Sequence, residues 1–156
     1  MATNTIDFDD QRVYKNVYHK GKWAGIFQCT QAGAQQLFKK AQPCSIVDIA
    51  TLTSIYRPGP LSANVDRLYV KAKRDNDTYY HNDIIEEVTK ETYGFLIFQE
   101  QIALLAHRLG EGVTLEEGNK LRKLLTKKGG GSKAKEKESI RKRFIEGCVN
   151  KHMAKD

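Results

Sequence analysis

The sequence predicts a mainly α fold with one or two short extended segments, and three observations predict it. Apolar residues recur at helical spacing through most of the chain, as in Val13, Tyr14, Val17 and Tyr18, or Ile102, Leu105, Ala106 and Leu109. Helix-start signals precede these stretches, among them Ser45 with Asp48 three residues on and Thr114 with Glu117 three residues on. Extended character is confined to two places, residues 23–28 and 92–98, so no strand–helix–strand alternation emerges. At 156 residues the chain suits a single domain over 1–156, able to bury about two-thirds of its unfolded surface.

The elements follow in order. Asp7, Phe8, Asp9 and Asp10 open a short helix over residues 7–18, with the aspartates capping it and offsetting its dipole; a metal-binding Asp-x-Asp is the other reading of Asp7 and Asp9. After a loop, residues 23–28 read as a short strand. Thr30 can cap the next helix, with Leu37, Phe38 and Ala41 inward, and Pro43 ends it. Ser45 caps a helix in which Asp48 plays the capping-box acid and Ile46, Ile49, Ala50, Leu52 and Thr53 form the buried face. Ser62 caps a helix with Val65, Leu68 and Tyr69 on one side, and residues 71–81 read as an exposed loop. Asn82 caps a helix carrying Ile84, Ile85 and Val88, and residues 92–98 form a compact apolar run suited to a buried strand or extended segment.

A long amphipathic helix then opens at Gln99 and closes at Gly110 and Gly112. His107 lies alone on it, as an exposed or hydrogen-bonded side chain rather than a ligand. Thr114 opens the following helix, with Leu121, Leu124 and Leu125 apolar and Arg122, Lys123, Lys127 and Lys128 elsewhere. Gly129, Gly130 and Gly131 break it. A last, highly charged helix over 132–149 has Ile140, Phe144, Ile145 and Val149 as its apolar stripe.

Composition bounds the function. No apolar run reaches the roughly 20 residues of a membrane helix, and the first residues lack a basic-then-apolar signal pattern. The cysteines Cys29, Cys44 and Cys148 are odd in number and far apart, which argues against a disulfide framework or a zinc site and fits a cytoplasmic location. Charge is uneven. Residues 120–143 carry eleven Lys/Arg against Glu136 and Glu138, a local +9; the whole chain is +7, so the remainder is −2. A mildly acidic body with a basic end at 119–150 points to a polyanion, nucleic acid or nucleotide phosphate.

Two stretches carry the candidate chemistry. Tyr56-Arg57-Pro58-Gly59-Pro60-Leu61 is too proline-rich for helix or central strand and reads as a stiff bend that aims the Arg57 guanidinium. The plainer reading is a helix-ending turn with a solvated arginine. Lys127 and Lys128, close after Arg122 and Lys123 and before a triglycine, exceed what dipole compensation needs and suit phosphate, although the order is not that of a Walker A loop. No Ser, Cys or His arrangement supports nucleophilic catalysis, and the only clustered carboxylates, Asp7, Asp9 and Asp10, lie in a segment read as structural.

Four motifs together resemble one family. They are Gly25-Ile26-Phe27-Gln28; Tyr56-Arg57-Pro58-Gly59-Pro60-Leu61; Glu91-Thr92-Tyr93-Gly94 with Phe98-Gln99-Glu100-Gln101; and Leu121-Arg122-Lys123 before Lys127-Lys128. In this order and spacing, over about residues 5 to 150, they resemble the fingers of bacterial DNA polymerase III alpha subunits, family C replicative polymerases. The family usually has two arginines where Arg122-Lys123 stands and a glycine where Thr126 stands.

The resemblance implies a helical fingers domain that binds the triphosphate of an incoming dNTP through Arg57, Arg122, Lys123, Lys127 and Lys128. Lys133, Lys135, Lys137, Arg141, Lys142 and Arg143 would contact DNA during template-directed replication. It also implies that the catalytic aspartates lie in a palm upstream of the matched part. Magnesium is then expected only with a palm-bearing partner, other polymerase segments or subunits are the expected partners, no membrane is involved, and no polymerase activity is expected of the chain alone. An excised domain, a split-gene subunit or a phage-type fragment would all fit. The alternatives are a non-catalytic DNA- or replisome-binding module derived from a polymerase, and an inert remnant whose basic end is simply solvated.

Overall fold

The computed structural model describes residues 6–57, 64–125 and 132–151. The chain is mainly helical, and among the described residues no strand forms. It divides into two compact units, Met1–Thr78 and Tyr79–Asp156.

The amino-terminal unit begins with α1 (Gln11–Val13), which continues as a wider π turn over Tyr14–Tyr18. Asp10 caps it: its carboxylate accepts the Arg12 N–H at 2.9 Å and pairs with the Arg12 guanidinium at 2.7 Å. Asp7 accepts the Asp9 N–H, a local turn that occupies one of its oxygens. Tyr14 is buried and its hydroxyl donates to the Phe8 carbonyl, whereas Val13 faces solvent. The aromatic rings of Tyr14, Tyr18 and Phe38 stack in series, with Trp23 edge-on to Phe38.

Residues 23–28, expected as a strand, instead form consecutive turns, with Ile26 N–H donating to the Trp23 carbonyl and Cys29 N–H to that of Ile26. Gly25 at φ +77° and Gln28 at φ +60° are the reason, because left-handed residues break an extended run. Helix α2 (Ala32–Ala41) follows, with Ala34, Leu37, Phe38 and Ala41 buried as expected. Its N-cap is Gln31, not Thr30, and makes no side-chain cap bond. Left-handed Gln42 and then Pro43 end it.

Helix α3 (Ile46–Ile55) is capped by Ser45, whose hydroxyl accepts the Asp48 N–H at 3.1 Å. The buried face is Asp48, Thr51, Leu52 and Ile55, rotated from the expected one, and Ile46 is exposed. Asp48 is the cause. Its carboxylate does not return to Ser45 but accepts from the Cys44 N–H at 2.8 Å, the Tyr69 hydroxyl at 3.0 Å and the Lys73 ammonium at 2.7 Å. Burial opposes the charged carboxylate, yet the Cys44 N–H and Lys73 outweigh it and hold Asp48 below the usual carboxylate range.

Helix α4 (Val65–Asp75) supplies Tyr69 and Lys73, so it extends into the region expected as loop; its own cap is the left-handed Asn64. The expected cap, Ser62, lies outside the described residues. The Asp48–Lys73 contact shows why propensity alone misplaced the helix end: tertiary partners hold a charged segment that sequence leaves ambiguous.

The carboxy-terminal unit opens with α5 (Asp83–Thr89), capped by Asn82, whose side chain accepts the Ile84 N–H at 2.7 Å, and a 3₁₀ turn at Lys90–Thr92. Residues 92–98 are not a buried strand. Tyr93 and Gly94 turn left-handed, Phe95 to Ile97 carry no regular secondary structure, and Leu96 is 55% exposed. This segment feeds α6 (Gln99–Leu109) through one buried side chain. Gln101 Oε1 accepts the N–H groups of Ile97 and Phe98, both at 2.9 Å, and its Nε2 donates to the Val88 carbonyl at 3.1 Å and the Thr92 hydroxyl at 2.8 Å. Two acceptor and two donor positions are filled, which is a primary amide's full ordinary capacity.

Helix α7 (Leu115–Leu125) starts with the expected capping box, Thr114 N–H donating to Glu117 at 2.9 Å and Glu117 N–H to the Thr114 hydroxyl at 3.2 Å. It lies close against α6 because Gly118 carries no Cβ; a methyl there would run into the Ala103 carbonyl. Helix α8 (Ser132–Asn150) packs on α6 and α7, with Ile140 joining Ala106 and Val113 in a core that Leu121 flanks. Ile145 and Val149, expected inside, are exposed; Gly147 takes the inner position because a Cβ there would meet the Leu109 carbonyl. Lys151 caps the end of α6, donating to the carbonyls of Arg108 at 3.0 Å and Leu109 at 3.2 Å. His107 is exposed and bonds the Val113 carbonyl through Nδ1 at 2.7 Å.

Candidate functional site

The carboxy-terminal unit brings two sequence motifs together. Arg122, on the third turn of α7, reaches the start of α6, where its guanidinium donates to Gln99 Oε1 at 2.9 Å and lies 3.8 Å from a Glu100 carboxylate oxygen. Its Nε donates to Asn119, one turn earlier on the same helix, at 3.2 Å. Three neighbours thus orient a side chain that remains 27% exposed. The sequence reading singled out Arg122 but missed Gln99 and Asn119 as its holders. Asn119 was accessible from the three-residue helical spacing; Gln99 depends on how α6 and α7 pack. Lys123 follows on α7 and is exposed. Lys127 and Lys128 lie outside the described residues.

On α8 the cations differ in kind. Lys135 and Lys142, seven residues apart, share one outward face, and Lys137 and Arg141, four apart, share another; all four are exposed. Arg141 also pairs with Glu138 at 2.9 Å, a surface contact of small energetic consequence. The Lys133 side chain lies outside the described part.

Arg143 is set apart from them. Its guanidinium grips Glu117 with both amino groups, at 2.6 and 3.2 Å, and donates to the Gly112 carbonyl at 3.1 Å. This fork joins α8 to the start of α7. Arg143 and the Thr114 N–H hold the Glu117 carboxyl down at about 2.

Arg57 belongs to the amino-terminal unit, is exposed, and follows the end of α3, its N–H donating to the Ile55 carbonyl at 2.7 Å. Tyr56 before it is seated on α2: its hydroxyl lies where a Cβ on Gly33 would stand. The same region holds a pocket of about 390 Å³ lined by Gly33, Gln36, Lys40, Tyr56, Asp66 and Arg67 among others. Lys40 and Arg67 are cations that sequence reasoning passed over, because only the helical packing of α2 against α4 puts them beside Tyr56. With Asp66 opposing them, the lining carries one net positive charge.

Phe27 is 80% exposed. Among the described residues no group of three or more His, Cys, Asp or Glu gathers as metal ligands would. No helix among them is long and apolar enough to cross a membrane.

These features define a helical, cation-bearing module whose motifs at Gln99 and Arg122 meet in space. Residues 1–152 match the family model described as the bacterial DNA polymerase III alpha subunit finger domain. The chain is 36% identical to the DNA polymerase III subunit alpha of Aquifex aeolicus over 94% of its length, 30% to that of Bacillus subtilis over 98%, and 34% to that of Chlamydia trachomatis over 99%. It covers only 12%, 13% and 12% of those proteins respectively. The chain belongs to the finger-domain family of bacterial DNA polymerase III alpha subunits.

Proposed function

We propose that the chain acts as the fingers portion of a family C DNA polymerase in template-directed DNA replication, holding the triphosphate of the incoming dNTP. The end-to-end match to the finger-domain family carries this reading. Arg122 is its central residue: held by Gln99 and Asn119 and still part-exposed, it presents a guanidinium with little rotamer freedom left to lose on binding an anion. Lys123, Lys127 and Lys128 add positive charge for phosphate, by positioning and electrostatic stabilisation, and Arg57 is a further phosphate-binding cation in this reading.

DNA contacts fall to Lys133, Lys135, Lys137, Arg141 and Lys142, while Arg143 serves the fold through Glu117. Nucleotidyl transfer itself would need carboxylates and magnesium supplied by a palm-bearing partner in the cytoplasm.

The test is reconstitution. This chain replaces the fingers of a palm-bearing DNA polymerase III alpha subunit, and dNTP incorporation is followed. Activity is expected in the chimera and not in the chain alone. Lys127→Ala with Lys128→Ala should raise KM for dNTP at least tenfold. An active isolated chain, or a chimera indifferent to Lys127, Lys128 and Arg122, overturns the reading. Salt-sensitive DNA binding by an inactive chimera would instead favour a non-catalytic replisome-binding module.

A further inference from the structure

In the amino-terminal unit one carboxylate oxygen holds a thiol and an amine together. Asp48 Oδ2 accepts from the Cys44 thiol at 3.3 Å and from the Lys73 ammonium at 2.7 Å, and Lys73 Nζ stands 3.5 Å from Cys44 Sγ. Cys44 is exposed, whereas the side chains of Lys73 and Asp48 are only 10% and 4% exposed. A solvent-borne oxidant therefore reaches the sulfur while the amine waits behind it. Cys29, by contrast, is buried.

We propose that Cys44 and Lys73 form an oxidative modification site, at which a hydroperoxide converts the pair into a covalent sulfur–nitrogen link. In the first step the Cys44 sulfur attacks one peroxide oxygen. The O–O bond breaks, the sulfur loses two electrons to the peroxide, and the thiol proton leaves with the departing oxygen, giving Cys44 sulfenic acid and water (or an alcohol from an organic hydroperoxide). In the second step Lys73 gives one proton through Asp48 to solvent. The freed amine attacks the sulfenic sulfur, the S–N bond forms and the S–O bond breaks. The departing hydroxide takes the second amine proton and leaves as water.

The Asp48 oxygen touches both reacting groups, so it can receive the proton that must leave the ammonium before nitrogen becomes nucleophilic. The link would fasten the turn before α3 to α4, the two helices on either side of the Arg57 bend, and would remove the charge that Asp48 is paired with.

The experiment treats the whole chain with hydrogen peroxide, alkylates residual thiols after denaturation, and reads peptides by mass spectrometry. The expected product joins the Cys44 and Lys73 peptides, with a mass below their sum by two hydrogens. It blocks tryptic cleavage after Lys73 and is reversed by dithiothreitol. Cys44→Ser and Lys73→Arg should each abolish it. The arginine keeps a cation beside Asp48, and circular dichroism reports that the helices remain. A free Lys73 peptide beside dimedone-trapped Cys44 sulfenic acid, an unoxidised Cys44, a disulfide between chains, or a link holding an extra oxygen would each overturn the proposal.

Discussion

Glu117 closes the capping box of α7 and also receives the Arg143 fork from α8. Its folded pKa, about 2, lies below the ordinary 4.5, so folding favours the ionised form. The stabilisation is therefore complete above about pH 4.5 and is lost as pH falls towards 2, where the folded state too takes up the proton. In Glu117→Gln the stability lost over that window should be smaller than in the parent, when urea midpoints are measured from pH 6 downward. Gln101 gives a second prediction at this scale. Gln101→Leu strands the N–H groups of Ile97 and Phe98, and should cost about 1–3 kcal/mol for each left without water. A urea midpoint unchanged by that substitution would mean the amide network does not support the start of α6.

At the scale of elements, two kinds of contact decide the packing. In the amino-terminal unit α3 presents Leu52 and Ile55, both fully buried. Leu52→Ala should cost about 2–5 kcal/mol, read from chemical denaturation. In the carboxy-terminal unit the α6–α7 contact depends on Gly118. Gly118→Ala places a methyl on the Ala103 carbonyl and should cost about 1–3 kcal/mol although alanine is the better helix former. A stabilised Gly118→Ala protein would show that the helices can separate without loss.

Much of this scale was legible in sequence. Ser45, Asn82 and Thr114 marked real helix starts, because a short side-chain oxygen three residues or fewer from free N–H groups needs no tertiary help. Faces were less legible. Asp48 is buried and Ile46 is not, since Tyr69 and Lys73 on α4 make a charged position favourable inside. Ile145 was similarly displaced by Gly147, where the need for close approach outweighs hydrophobicity.

At the scale of the molecule, the proposed DNA interface is the exposed cationic surface of α8. Each lysine that contacts a phosphate should contribute about one to the slope of log affinity against log salt. Lys135→Ala with Lys142→Ala should therefore lower the slope by about two, in fluorescence anisotropy with a labelled primer–template. Arg143→Ala should act differently, lowering stability because Glu117 loses its partner. An unchanged slope in the double variant would remove that face of α8 from the interface.

The sequence by itself determined the helical class, most helix starts, the uneven charge and the family, because these depend on local capping, periodicity and motif order. Only the tertiary structure decided which cations have a structural duty. Arg122 and Arg143 look alike in sequence, yet one is presented by Gln99 and Asn119 at a part-open position while the other is locked onto Glu117 and the Gly112 carbonyl. The physical reason is that a guanidinium's role is set by the acceptors within its reach, and the deciding ones, Gln99 for Arg122 and Glu117 for Arg143, stand on other helices 23 and 26 residues away in the chain.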